Sequence, residues 1–195
     1  MSDAEPQSVP DFQTSWTGRL LVAAPTMRDP NFDRSVVLVL EHSDEGALGV
    51  VLNRPTETDL FATLPRWEPL AADPTVVFVG GPVSPAAAIC LARSPVATET
   101  DGWKPLFDGL GTVDLNLDPE ELEAPLEKVR VFAGYAGWSA GQLESEVEAG
   151  AWFIVDALPG DALSTRPQNL WPAVLRRQGG TLALVANFPD DPAMN

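Results

Sequence analysis

Lysine, histidine and cysteine are all scarce in this chain, and each scarcity closes off a class of function. Cys90 is the only cysteine, so an internal disulfide and every cysteine-cluster metal site are excluded. His42 is the only histidine, which excludes a multi-histidine zinc centre built within one chain. Only two lysines occur, Lys104 and Lys128, and the 12 basic residues face 28 acidic ones. The resulting formal charge of −16 leaves no polybasic stripe to neutralise a series of phosphates, which disfavours direct nucleic-acid binding. No uninterrupted apolar run approaches the roughly 18 residues of a membrane-spanning helix, and MSDAEPQSVPDFQTS has neither the basic region nor the apolar core of a secretory leader. The expectation is a leaderless cytoplasmic protein with no membrane partner.

What is present is a packed fold. Hydrophobic residues make up 45% of 195, too many for an acidic disordered chain and enough for one core. A flexible tail is expected over residues 1–15, with one domain over 16–195. Apolar, Val-rich runs at 18–24, 35–42 and 47–53 read as strands, the last two forming a hairpin closed by Asp44, Glu45 and Gly46. Asp59 or Thr58 caps a short helix in LFATLP, and residues 75–82 form a strand entering a Gly-Gly-Pro turn. AAAICLA (86–92) reads as a strand, with a helix from Ser84-Pro85 as the other option. Asp118-Pro119-Glu120-Glu121 has the chemistry of a short helix start. Residues 128–138 read as a strand passing into glycine-interrupted backbone, followed by a helix opened by a Ser139/Gln142 capping box. A strand at 152–157, a helix at 169–178 ended by Gly179-Gly180, and a terminal strand at 181–188 complete the pattern. Seven to nine strands with three to five short helices, and no long helices between the first strands, indicate an α+β fold with a mixed sheet.

The chemistry-bearing residues are few. His42 sits between a Val-rich strand and an acidic turn, where it either fixes a strand end or serves as a base with nearby carboxylates. Cys90 lies inside an apolar run and reads as a small buried hydrophobe. Gly137-Trp138-Ser139-Ala140-Gly141 matches the nucleophile-elbow pattern, but no histidine follows Ser139 to complete the hydrolase order, and a helix cap explains the serine. Neither a phosphate loop, a dinucleotide fingerprint nor an EF-hand is present, so no cofactor and no metal is expected. Arg34 follows Asp33, and Asn53-Arg54-Pro55 ends an apolar strand at a turn. Each guanidinium there can close an ion pair or contact an anionic ligand.

The ordered set RLLVAAPTMRDPNFDRSVVLVLEH (19–42), GALGVVLNRP (46–55), FVGGPV (78–83) and VRVFAGYAGWSAGQLESEVEAGAWFIVDA (129–157) resembles the YqgE/AlgH family of bacterial proteins. The resemblance implies a mixed, bifurcated β-sheet curled into a pseudo-barrel with several short helices. It also carries a transcriptional-regulator label, by association with control of alginate production, and supplies no catalytic set to transfer. The chain departs from the family at AAAICLA, where Leu91-Ala92 stands in place of a frequent Leu-His. The reading is a noncatalytic regulatory or interaction protein, acting indirectly on transcription, that recognises a protein or small ligand near 29–55, 80–83 and 134–146. Its candidate residues are Arg34, His42, Asn53, Arg54, Tyr135, Trp138, Gln142 and Glu146. The alternative is a metal-dependent or histidine-assisted hydrolase that uses His42.

Overall fold

A computed structural model describes residues 15–189. The tail expected over residues 1–15 lies outside the described residues except for Ser15, whose hydroxyl donates to the His42 carbonyl at 3.0 Å. Ten strands are described: β1 (Arg19–Ala23), β2 (Val36–Ser43), β3 (Gly46–Val51), β4 (Pro55–Asp59), β5 (Val76–Val79), β6 (Val83–Arg93), β7 (Trp103–Phe107), β8 (Leu110–Val113), β9 (Lys128–Ser139) and β10 (Trp152–Asp156). Five short helices accompany them: α1 (Leu60–Thr63), α2 (Gln142–Glu148), α3 (Pro159–Ala162), α4 (Leu170–Gln178) and α5 (Gly180–Val185). The architecture is α+β, with a curled half-barrel sheet whose main antiparallel path runs β10-β1-β2-β3-β9-β6-β8-β7.

The central strands carry unbroken apolar runs, 20–23 in β1 and 36–40 in β2, because both of their faces are covered there. In β1 and β2, Leu20, Val22, Val36, Leu38 and Leu40 point into one cluster with Trp171, Val174 and Leu175 of α4. Leu21, Ala23, Val37 and Val39 alternate with them and point into a second cluster with Trp138, Leu143 and Trp152. A third cluster, around Trp67, Cys90, Trp103 and Val129, fills the other arm of the sheet.

The sheet forks at β9. Along one edge β9 pairs with β6; along the other it pairs first with β5, in parallel at Phe132 and Ala133, and then with β3 from Ala136 to Ser139. Gly80 sits in the fork. Its carbonyl accepts the Val51 N–H at 2.8 Å and its own N–H donates to the Ala133 carbonyl at 2.8 Å. A Cβ on Gly80 would lie 2.2 Å from the Gly134 carbonyl oxygen, and one on Gly81 would lie 2.2 Å from the Tyr135 carbonyl carbon. The Gly-Gly pair is there because three backbones cross too closely for side chains.

Four expectations are corrected. Residues 181–188 do not form a strand but enter α5, because Leu182, Val185 and Ala186 meet the core at helical spacing while Leu184, which strand alternation would bury with them, is 72% exposed. Asp118 starts a single turn and no helix: its side chain accepts the Glu120 N–H at 3.1 Å, and Pro125 would break any continuation. The glycines at 134 and 137 do not interrupt β9, which runs unbroken to Ser139. Gly141, in a left-handed conformation, caps α2 in place of Ser139. The expected strand at 86–92, the cap by Asp59 and the hairpin at 44–46 are all found.

Arg130, which sequence reasoning did not single out, is 2% exposed and staples two loops. Its guanidinium donates to the carbonyls of Ala162, Ser164, Ala72 and Asp73, at 3.2, 2.9, 3.4 and 2.5 Å, and lies 4.3 Å over the Phe78 ring. Burial lowers its pKa to about 10, opposed by the nearby charge of Asp73.

A Gly80→Ala chain should lose about 2–3 kcal/mol in urea unfolding, since the added methyl must push backbone apart. Gly141→Ala, with nothing within 4 Å of the new Cβ, should cost only about 1 kcal/mol for its left-handed φ of +74°. Equal losses at the two positions would contradict the crossing as the tight point.

Candidate functional site

The eight candidate residues fall into two groups, with Tyr135 half-buried against the main core. His42 on β2 faces Ala47 on β3, which in turn faces Trp138 on β9, so histidine and indole share a row across three strands under α2. The imidazole side chain is 4% exposed and stacks on Trp16 at 4.8 Å and 4°. Its Nδ1 accepts the Trp16 backbone N–H at 3.0 Å, which places the ring hydrogen on Nε2, donating to Glu144 Oε1 at 3.0 Å. The lone pair that a general base needs is therefore already engaged.

Beside it, Glu146 is the hub of a closed polar network. One carboxylate oxygen accepts the indole N–H groups of Trp138 and Trp152, at 2.9 and 2.8 Å; the other accepts the Gln142 amide at 2.9 Å. Phe32 packs onto both indoles, at 6.1 and 5.5 Å. Gln142 also accepts from the backbone N–H and hydroxyl of Ser139, at 3.1 and 3.2 Å. Trp138 is thus a buried strand residue, and it is joined to Gln142 through Glu146. The elbow-like serine donates its hydroxyl to an amide. Cys90 is fully buried, and burial pushes its thiol up to about 12.

The second group lines a cleft. Asn53 is buried; its side-chain oxygen accepts the Val36 N–H at 3.0 Å and its amide donates to the Arg34 carbonyl at 2.9 Å. These two bonds pin Arg34 in a left-handed conformation, φ +50°, that costs a non-glycine residue roughly 1 kcal/mol or more. The Arg34 guanidinium lies 4.6 Å over Trp171 and donates to the carbonyls of Phe188 and Pro189, at 2.8 and 2.5 Å. Trp171 is itself anchored by its N–H to the Ala23 carbonyl at 2.9 Å. Arg54 donates to the Asp33 backbone carbonyl, and partial burial lowers its pKa, an effect the Asp33 charge opposes.

Arg34, Asn53, Arg54 and Trp171 line a cavity of about 560 Å³ with Asp33 and Gln168. Arg54 also borders a neighbouring cavity of about 300 Å³, formed with Asn31, Val79, Gly81 and Pro82. Turns at 29–34, 53–55 and 80–82 therefore converge on one guanidinium, while residues 134–146 lie with the tryptophan network. Trp171 and Gln168 were missed as lining residues: LWPAVLRR carries only the periodicity of a core helix, and nothing local marks which end of it meets Arg34. No cluster of His, Cys, Asp and Glu suited to a metal ion is found among the described residues. No helix among them is long and apolar enough to cross a membrane.

Fold and cleft together define a small α+β protein whose forked half-barrel sheet carries an arginine-lined recess. The profile of the AlgH-like family matches residues 20–183, and the chain belongs to that family. It is 52% identical over 186 residues to a UPF0301 protein of Streptomyces avermitilis, covering 93% of this chain and 96% of that protein. A UPF0301 protein of Mycobacterium tuberculosis is 45% identical over 196 residues, covering 99% and 97%. Among solved structures, a protein of Corynebacterium diphtheriae superposes with a TM-score of 0.82 at 34% identity over 96% of this chain and 95% of that one. The AlgH protein of Pseudomonas aeruginosa superposes with a TM-score of 0.66 at 28% identity, covering 98% and 100%.

Three measurements check the tryptophan network and the burial of Cys90. Glu146→Gln replaces a pure acceptor with an amide whose N–H groups face other donors, and should destabilise the fold by about 2 kcal/mol in urea unfolding. Cys90 should resist a thiol reagent in the native state and react at once in denaturant. Its sign follows from burial: the unfolded thiol ionises near its ordinary value of 9, the folded one at about 12. Stability should therefore fall as pH rises between those values, and a Cys90→Ala chain should lack that component.

Proposed function

We propose that this protein is a noncatalytic binding protein with a regulatory role, which recognises a small ligand or a protein partner at the Arg54 cleft. The observation that carries this reading is the convergence of three sequence-distant turns on Arg54, across two adjoining cavities. The larger cavity, at about 560 Å³, falls within the range of roughly 300–1,000 Å³ usual for small-molecule sites. Any effect on transcription runs through a partner, since 12 basic residues against 28 acidic ones oppose DNA contact.

The hydrolytic alternative has less support. His42 has Nδ1 engaged by a backbone N–H and its ring almost wholly covered, and Ser139 donates to Gln142 without reaching a base. A hydrolytic role for His42 would require this network to open.

A metabolite thermal-shift screen, run beside a pull-down from extract, tests the proposal on wild type and Arg54→Ala. At least one ligand or partner should be retained by the wild type and lost by the variant, whose own stability should fall by only about 1 kcal/mol for the missing hydrogen bond. Binding that is unaffected by Arg54→Ala would move the site elsewhere.

A further inference from the structure

Five of the 12 basic side chains pair with a carboxylate among the described residues, Lys104 with Glu41 among them. Arg19 pairs with Asp156, Arg66 with Asp118, Arg93 with Glu127 and Arg177 with Asp161, while the buried Arg130 is surrounded by carbonyls. Arg54 differs. It is half-buried, it makes one hydrogen bond to a backbone carbonyl, and no carboxylate among the described residues lies within ion-pair distance of it, in a chain with 28 acids. A guanidinium has five N–H donors in a planar fork, so most of Arg54's donors remain for a ligand at the wall between two cavities.

The second cation of the cleft is held in place. Trp171 supports the Arg34 guanidinium from below, and Asn53 holds its backbone in a left-handed conformation that glycine would adopt at lower cost. Its guanidinium is already engaged by the carbonyls of Phe188 and Pro189, so Arg34 shapes the cleft wall and the contact with a ligand falls to Arg54.

Resting on the binding role above, we propose that the Arg54 cleft takes a small molecule through an oxyanion group, a phosphate or a carboxylate, gripped by the fork of Arg54. The cleft has the volume of a metabolite site, and the overall charge of −16 repels extended polyanions while screening over about 8 Å admits a small one.

The test titrates the full chain separately with inorganic phosphate and with malonate, at ionic strength held constant with potassium chloride, following arginine Nε–H signals by NMR. Expected is a saturable shift of the Arg54 signal with at least one anion. Arg54→Gln should weaken the accompanying backbone shifts around the cleft at least tenfold, Arg54→Lys should give an intermediate loss, and Arg66→Gln, outside the cleft, should change nothing. Saturation by phosphate alone assigns a phosphorylated ligand, by malonate alone a carboxylate, and by both the shared chemistry. Shifts that never saturate, or that are the same in wild type and both Arg54 variants, overturn the proposal. If neither anion binds while Arg54→Ala still abolishes a hit in the broader screen, the oxyanion assignment falls and the binding site stands. If both tests are negative, both fall.

Discussion

The structure depends on the close crossing of three backbones at Gly80, Gly81 and Gly134. Without it the sheet could not split, because β5 reaches β9 only where β3 leaves it. The same crossing makes the cleft. Val51 donates to the Gly80 carbonyl and Val79 donates to the Arg54 carbonyl, both at 2.8 Å, so the residues that open the fork also fix the turn that presents Arg54. Glycine at 80 and 81 is thereby explained by packing, and the same packing puts Gly81 on the wall of the smaller cavity.

Burial on both sheet faces sets what the polar residues must do. A row such as His42, Ala47 and Trp138 lies beneath α2, and each polar atom there has to find a protein partner or incur a desolvation cost of a few kcal/mol. Glu146 meets that requirement for two indoles at once, and Trp16 and Glu144 meet it for the imidazole. Side chains tied together in this way stiffen the outer face and leave few donors for chemistry. The cleft follows the opposite pattern, with an arginine that makes one hydrogen bond and borders two cavities.

Much of the fold was legible in the sequence because its signals are local. The double-sided burial of Val36 to Leu40 shows as an unbroken apolar run, Asp59 marks its helix, and Asp44 to Gly46 mark their hairpin. The terminal helix was not legible: TLALVANF is apolar enough to suit either period, and only contacts with distant Leu and Trp residues select the helical one. Arg34, Asn53 and Arg54 could be named from their turns, yet that they meet each other and Trp171 depends on pairings 17 to 19 residues apart and on α4 packing back across the chain. Trp138, Gln142 and Glu146 were singled out from the same kind of local cue, and long-range geometry gave them to one another instead.

The acidity of the chain bears on the cleft in a specific way. Residues 99–148 hold 12 acids against 3 bases, for −9 of the −16, and they include α2 and its network but none of the lining of the Arg54 cavities. Had charge been spread evenly, a carboxylate would be expected beside every half-buried guanidinium, as is seen at Arg19 and Arg93. At Arg54 the neighbouring acid, Asp33, offers its backbone carbonyl, while its charge acts on the guanidinium without an ion pair and burial removes part of the cation's hydration. Local charge at the cleft, two arginines against Asp33, thus runs against the charge of the whole molecule, as the anion proposal requires.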